Sequence, residues 1–342
     1  MKFIAIFKTA LLLSLIVVAN ACNDELNTVE GWKSIPVVYG LLSINDTATY
    51  IRVEKAFVDP NRSATEIAQI PDSLYYKDIN VSLVRVRSNE RFALNQVNGN
   101  TEGYPRKDGI FAKSPNLLYK INNSTLSLKA DEEWRIEIQR KGETQPFAKS
   151  TTKVTGEYEV ITPGTTPVFL RYDNTFNITL QTDEKSARIV DIKIVVNYEE
   201  IDLTKPNQVF TKSIKWDFVT SGQRKLNGNI PDPIVSFSRR GQIFYEYLGN
   251  NMPVIAGVKR TFKSIDIEVL TGGQELIDYI NIGIANTGIT GSQTIPTFTN
   301  VQGGLGIFSA RSKTVKTGVR LSDFALDLLI NGEFTKKLNF KN

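Results

Sequence analysis

Apolar and polar residues alternate with a period of two along much of the chain. Val190, Ile192, Ile194, Val196 and Tyr198 alternate with Asp191, Lys193 and Asn197. Trp134, Ile136 and Ile138 are set against Arg135, Glu137 and Gln139, and Ile265, Ile267 and Val269 against Asp266 and Glu268. Ile280, Ile282 and Ile284 repeat the spacing. This period predicts antiparallel strands with one covered face. Gly, Asn and Pro punctuate the strands at short intervals, as a sandwich requires. Helical signals are few. Ser63-Ala64-Thr65-Glu66 fits a capping box, with Pro71 as its stop. A stripe of Ile243, Phe244, Tyr247 and Leu248 predicts a helix over about 239–248, with Gly249 as its C-cap and Arg239-Arg240 in its first turn. Ser322 caps a third candidate ending at Asn331-Gly332. The expected fold is mainly β: an antiparallel, Ig-like β-sandwich over 31–160, then a second β-rich domain over 165–342 with a few short helices. The boundary is placed at the interruption Thr162-Pro163-Gly164-Thr165-Thr166-Pro167.

The N-terminus follows a different pattern. Lys2 and Lys8 precede an apolar run from Ala10 to Ala19. That run is shorter than the about 20 residues a membrane-spanning helix needs. Residues 1–21 therefore read as a signal. Ala19-Asn20-Ala21 precedes Cys22, the one cysteine of the chain. Ala-x-Ala fits ordinary secretory cleavage. A small residue before Cys also resembles the bacterial lipobox, which places a diacylglyceryl group on Cys22 and anchors the chain in a lipid bilayer, with 22–30 as the tether. Leu is usual where this chain has Ala19. Asn23-Asp24-Glu25 resembles the surface-export signal of Bacteroidota lipoproteins.

Composition removes more chemistry than any motif adds. The chain has 342 residues, is 41% hydrophobic and 23% charged, and has no histidine. Ser-His-Asp triads, Cys-His pairs and His-ligated metal sites are thereby excluded. Formal net charge is +5. Lys2 and Lys8 fall in the signal, which holds no acid, so the remainder is close to balanced, and no nucleic-acid partner is expected. Gly304-Leu305-Gly306 lacks the third glycine of a dinucleotide fingerprint and reads as a turn feeding a strand. Asp131-Glu132-Glu133 is the densest acidic cluster, but it directly precedes a strand and lacks calcium-loop spacing. No catalytic residue, metal or cofactor is assigned. Trp134 and Trp216 are in phase with core residues, and Trp32 is unassigned. Tyr75-Tyr76 is the candidate ligand surface, because adjacent strand residues face opposite ways.

Three segments in order carry a family resemblance: Gly40-Leu41-Leu42-Ser43-Ile44-Asn45-Asp46-Thr47 with Tyr50-Ile51-Arg52-Val53 and Lys55-Ala56-Phe57, then Gly241 to Leu248, then Asn300 to Phe308. With the lipidated start they resemble a Bacteroidota domain-of-unknown-function outer-membrane lipoprotein family. Members often occur beside TonB-dependent transporters. The resemblance implies a non-enzymatic, surface-exposed accessory that binds ligand for such a transporter. A structural or adhesive surface role is the alternative. Asp46-Thr47-Ala48 and Asp72-Ser73-Leu74 also resemble O-glycosylation acceptors of exported Bacteroidota proteins.

Overall fold

The computed structural model describes residues 34–56, 62–285 and 298–341. The expected signal, the tether, Cys22 and Trp32 lie outside the described residues. From Ile35 onward the chain forms one compact unit.

The fold is mainly β, with several sheets and a few short helices. β1 (Ile35–Ser43) and β2 (Ala48–Ala56) form a hairpin, followed by α1 (Ala64–Ala68) and α2 (Pro71–Leu74). Then come β3 (Ile79–Arg85), β4 (Glu90–Ala93), β5 (Asn95–Asn98), β6 (Leu117–Asn122), α3 (Asn123–Leu126), β7 (Glu133–Arg140), β8 (Ala148–Lys153) and β9 (Glu159–Thr162). The rest comprises β10 (Thr175–Gln181), β11 (Ile189–Asp202), β12 (Val209–Gln223), β13 (Leu226–Asn227), β14 (Ile230–Pro231), β15 (Ile234–Arg240), α4 (Gly241–Asn251), β16 (Val258–Gly272), α5 (Gln274–Ala285), β17 (Leu305–Val319) and α6 (Asp323–Asn331). An eight-stranded sheet in the order β12-β11-β16-β17-β1-β2-β6-β5 is the backbone of the fold. Its ladders are antiparallel except β1–β17, which is parallel.

Two smaller sheets cover this large one. The four-stranded sheet β4-β3-β7-β8 packs Val81, Leu83, Trp134, Ile136 and Ile138 against Val38, Leu42, Ile51, Val53 and Phe308. The three-stranded sheet β15-β10-β9, with α4 and α6, packs Phe176, Ile178 and Leu180 against Ile192, Ile194, Val196, Phe218 and Ile267. Both cores lie on one face. Ile267 stands opposite Lys316, Val269 opposite Thr314, Thr271 opposite Ser312, and Ala310 opposite Leu42. Alternate residues 308 to 316 of β17 thus face the same side. Between the cores this face turns polar: Ser312 Oγ donates to Gly156 O, and Lys316 Nζ donates to Val160 O at 2.9 Å.

The expected strands at 190–198, 265–269 and 134–138 are β11, β16 and β7. Trp134 and Trp216 are both buried, as their phase predicts. Ser63 caps α1 through Glu66 N (3.2 Å), and Ser322 caps α6 through Ala325 N (3.3 Å). The strand expected at 280–284 is instead part of α5. Leu276, Ile277, Ile280 and Ile284 also recur at helical spacing, and the 12-residue length favours that period. The capped helix α1 ends at Ala68, before Pro71 as expected, and Pro71 then starts α2, where its missing N–H costs nothing. Gly249 does not cap α4, which continues to Asn251. A Cβ at Gly249 would sit 2.3 Å from Phe334 O, so the glycine serves close packing. Arg239 and Arg240 are the last residues of β15, paired with Phe176 and Thr175, and not a first helical turn.

The two cores draw on residues from both sides of 162–167. Residues 38–154 share theirs with Val301, Phe308 and Ala310 from late in the chain, and β9 joins the sheet of β10 and β15. Among the described residues no helix is long and apolar enough to cross a membrane.

Two buried ion pairs pin the second core. Arg260 is 0% exposed and donates to Glu200 (2.8 Å), Leu338 O (2.9 Å) and Pro253 O (2.9 Å). Arg224 lies 3.5 Å from Glu184 and donates to Glu184 O at 2.8 Å. Removing one partner of such a pair strands a buried charge. Arg260→Ala is expected to destabilise the fold by about 3–5 kcal/mol, read from urea unfolding; a change within error would contradict the staple. Burial pushes the Glu200 carboxyl up, but hydrogen bonds from Lys212 and Arg260 outweigh it and hold the group below the ordinary range. Its contribution is complete above the unfolded-state pKa and is lost as pH falls through the folded one. Urea midpoints measured across acidic pH should therefore fall less steeply in Glu200→Gln than in the parent.

Candidate functional site

The second face of the large sheet carries the side chains of opposite phase. At the β11–β12–β16 end these are charged and mutually paired: Lys193 with Asp217 (3.4 Å), and Lys215 (3.9 Å) and Lys313 (3.4 Å) with Glu268. At the β17–β1–β2–β6 end the character changes. Leu41, Ile307 and Leu118 form an apolar floor, with Tyr39, Tyr50 and Arg52 beside it. Leu276 and Tyr279 of α5 close one side, and Tyr104, from the segment between β5 and β6, closes the other. The open cleft between them is about 440 Å³.

Four tyrosines dominate it. Tyr39, Tyr104 and Tyr279 are 44%, 55% and 45% exposed, so much of each side chain is accessible to a ligand. Tyr50 and Tyr104 sit with ring centroids 4.7 Å apart at 53°. The Tyr50 hydroxyl donates to Glu102 (2.9 Å), which also accepts from Lys120 (2.6 Å). The hydrogen bonds from Lys120 and then Tyr50 hold the Glu102 carboxyl below its usual range. Burial, followed by the neighbouring Tyr279 phenol and Glu54, raises Tyr39, so its hydroxyl stays protonated at neutral pH. The arginines are spoken for: Arg52 bonds Glu54 (2.8 Å) and Arg311 bonds Asp46 (2.8 Å). The cleft thus offers aromatic side chains, an apolar floor and ion-paired charge, with Glu54 shared between Arg52 and Arg106. That combination suits an uncharged or amphipathic ligand.

One side chain props up the Tyr104 wall. Arg106 pairs with Glu54 on β2, donates to the Tyr75 hydroxyl (3.2 Å) and lies 5.3 Å from the Phe111 ring centroid. Tyr75 in turn donates to Pro115 O at 2.9 Å. The expectation that one of Tyr75 and Tyr76 leaves the core does not hold. They sit between α2 and β3, not within a strand, and both are buried. Tyr75 packs with Leu74 and Ala112, and Tyr76 lies 5.6 Å from the Phe147 ring. Tyr75 supports the cleft from behind.

The three acids of the 131–133 run line one surface cleft with Arg85, Arg87 and Lys153, and each has its own surroundings. Asp131 accepts from Lys185 N (2.9 and 3.1 Å), Glu132 from Trp134 Nε1 (3.3 Å), and Glu133 begins β7. Among the described residues no group of three or more His, Cys, Asp or Glu gathers to hold a metal. Gly304-Leu305-Gly306 opens β17, as expected.

The sequence pattern alone does not single out the cleft tyrosines. A signal existed for Tyr50, which alternates out of phase with Ile51 and Val53 beside Arg52. Tyr279 was hidden by the strand reading of α5, and Tyr104 lies in a segment without periodicity.

No protein-family model matches the chain, and no curated protein matches it. Among solved structures it is similar to the C-terminal globular domain of oligosaccharyltransferase from Pyrococcus abyssi, at 8% identity over 86% of this chain and 52% of that one, with a TM-score of 0.22. The chain thus spans about half the length of that structure. It is also similar to the calcium binding domain CBD12 of CALX1.1, at 8% identity over 80% of this chain and 98% of that one, with a TM-score of 0.13. At such TM-scores neither likeness bears on fold or function.

Arg106→Ala is expected to loosen the 99–116 segment while leaving the sheets intact. Limited proteolysis should cut there faster than in the parent, with unchanged far-ultraviolet circular dichroism. Equal cutting rates would show that Arg106 is not the prop.

Proposed function

We propose that this chain is a non-enzymatic outer-membrane lipoprotein of the Bacteroidota domain-of-unknown-function kind, anchored through Cys22 and facing the cell exterior. It acts as a binding accessory to a TonB-dependent nutrient transporter. The observation that carries the binding role is the open tyrosine cleft on the sheet face not used for the core. Large aromatic side chains left half exposed over an apolar floor are the usual substance of a ligand site. The charged first residues, the short apolar run and the lone Cys22 support the anchor. Tethering would hold the cleft at high effective concentration beside a transporter. For residues 31–160, an Ig-like sandwich is supported by the core that the β4-β3-β7-β8 sheet shares with β1, β2 and β6.

Affinity capture of the tagged full-length protein from gently solubilised outer membranes tests this reading. The expected result is a near-stoichiometric TonB-dependent transporter, lost when Cys22→Ser removes the anchor. An abundant, intact protein that comes alone in both cases would sink the accessory role.

A further inference from the structure

A second cleft, of about 290 Å³, opens where the two cores meet. It is lined by Thr152 and Lys153 at the end of β8, by Lys185, Ser186 and Arg188 before β11, and by Gly273, Gln274 and Glu275 at the start of α5. Four observations converge on it. Lys153, Lys185 and Arg188 form no ion pair among the described residues. The Arg188 Nε–H is buried without a partner. The Thr152 side chain is 2% exposed, and its hydroxyl is buried without a partner as well. Finally, the N-terminal turn of the 12-residue helix α5 lies in the wall: Leu276 N donates to Gly273 O (3.2 Å), the Gln274 and Glu275 amides have no intrahelical acceptor, and the helix dipole is positive. Buried donors in folded proteins almost always have a partner, so two orphans lining one cationic cleft call for an acceptor.

Two carboxylates share the site. Glu275 accepts from Ser309 Oγ at 2.8 Å, and Glu133 stands beside Lys153 in the β7–β8 register. Among the lining residues three cations face two carboxylates, and Asp131, which accepts from Lys185 N, stands just outside them; the helix terminus adds positive potential. The oxygens of a small anion would complete the donor set.

We propose that this seam binds an oxyanionic group: a phosphate, a sulfate or a carboxylate. Arg188 supplies a forked donor, Lys153 and Lys185 supply point charges, and Thr152 and the α5 amides supply neutral donors. The site is separate from the tyrosine cleft and does not rest on the transporter reading. Because its walls come from β8, from the segment before β11 and from α5, an anion bound there ties the two cores together and raises stability by mass action.

Titration calorimetry of the full-length protein in non-ionic detergent, with inorganic phosphate, sulfate and acetate as separate probes at constant ionic strength, tests the proposal. Saturable binding of at least one probe is expected, with a matching rise in melting temperature. Arg188→Gln should weaken it about tenfold or more, and Thr152→Val should weaken it to a lesser degree. If Arg188→Gln fails to fold, Lys185→Gln, which alters an exposed side chain, still reads the site. Tighter binding of phosphate and sulfate than acetate assigns a tetrahedral group; the reverse assigns a carboxylate. Absence of saturable binding by all three probes, or equal affinity in Lys185→Gln and the parent, overturns it.

Discussion

The parallel ladder between β1 and β17 holds the molecule together. It joins Val37–Ser43 to Leu305–Arg311, residues separated by most of the chain. Two glycines make the approach possible. Gly306 has φ +106°, and a Cβ there would lie 2.0 Å from Val38 O. Gly40, opposite Phe308, leaves room for that ring: a Cβ would meet it at 3.1 Å. Through this ladder the strands of the two cores become one sheet. The first half of β17 feeds the core under the four-stranded sheet, while Val319 at its end belongs to the other. The entropy of closing so long a loop grows only slowly with length, so one ladder of well-packed pairs can offset it.

One consequence is an asymmetry of faces. Both covering sheets sit on the same side, so the opposite side of the large sheet is left to solvent, to α5 and to the 99–116 segment. At the β11–β12–β16 end of that side the charges are ion-paired, with Glu268 shared between Lys215 and Lys313. Where β17, β1, β2 and β6 lie together, tyrosines replace the pairs, and the cleft exists because α5 and Tyr104 rise on either side of them. Helix α5 is common to both clefts: its body walls the tyrosine site, and its first turn walls the cationic seam.

Much of the β architecture was legible in the sequence because period two survives wherever one face is packed. Ile192, Ile194 and Val196 are buried while Lys193 and Asn197 are not, and that is how β11 reads in the bare sequence. Misreadings arose where two periods coincide. Ile280, Ile282 and Ile284 satisfy a strand, yet Leu276, Ile277, Ile280 and Ile284 satisfy a helix. Gly249 illustrates a second limit: its role depends on Phe334, a neighbour that no local pattern announces. The continuity of the sheet was illegible for the same reason, since nothing in Gly40 or Gly306 alone names its partner. Tyr75 and Tyr76 misled because adjacency implies opposite faces only inside a strand.

Native-state hydrogen exchange of the full-length protein, resolved to single amides along β1 and β17, tests the single-sheet account most directly. A single sheet predicts that the amides of Leu42 and Ser309, which point across the β1–β17 ladder, exchange only with global unfolding, as slowly as those of Ile136 in one core and Ile194 in the other. Exchange of the β1–β17 ladder orders of magnitude faster than both cores, with the cores protected to different levels, would contradict it and would mean two units that fold apart.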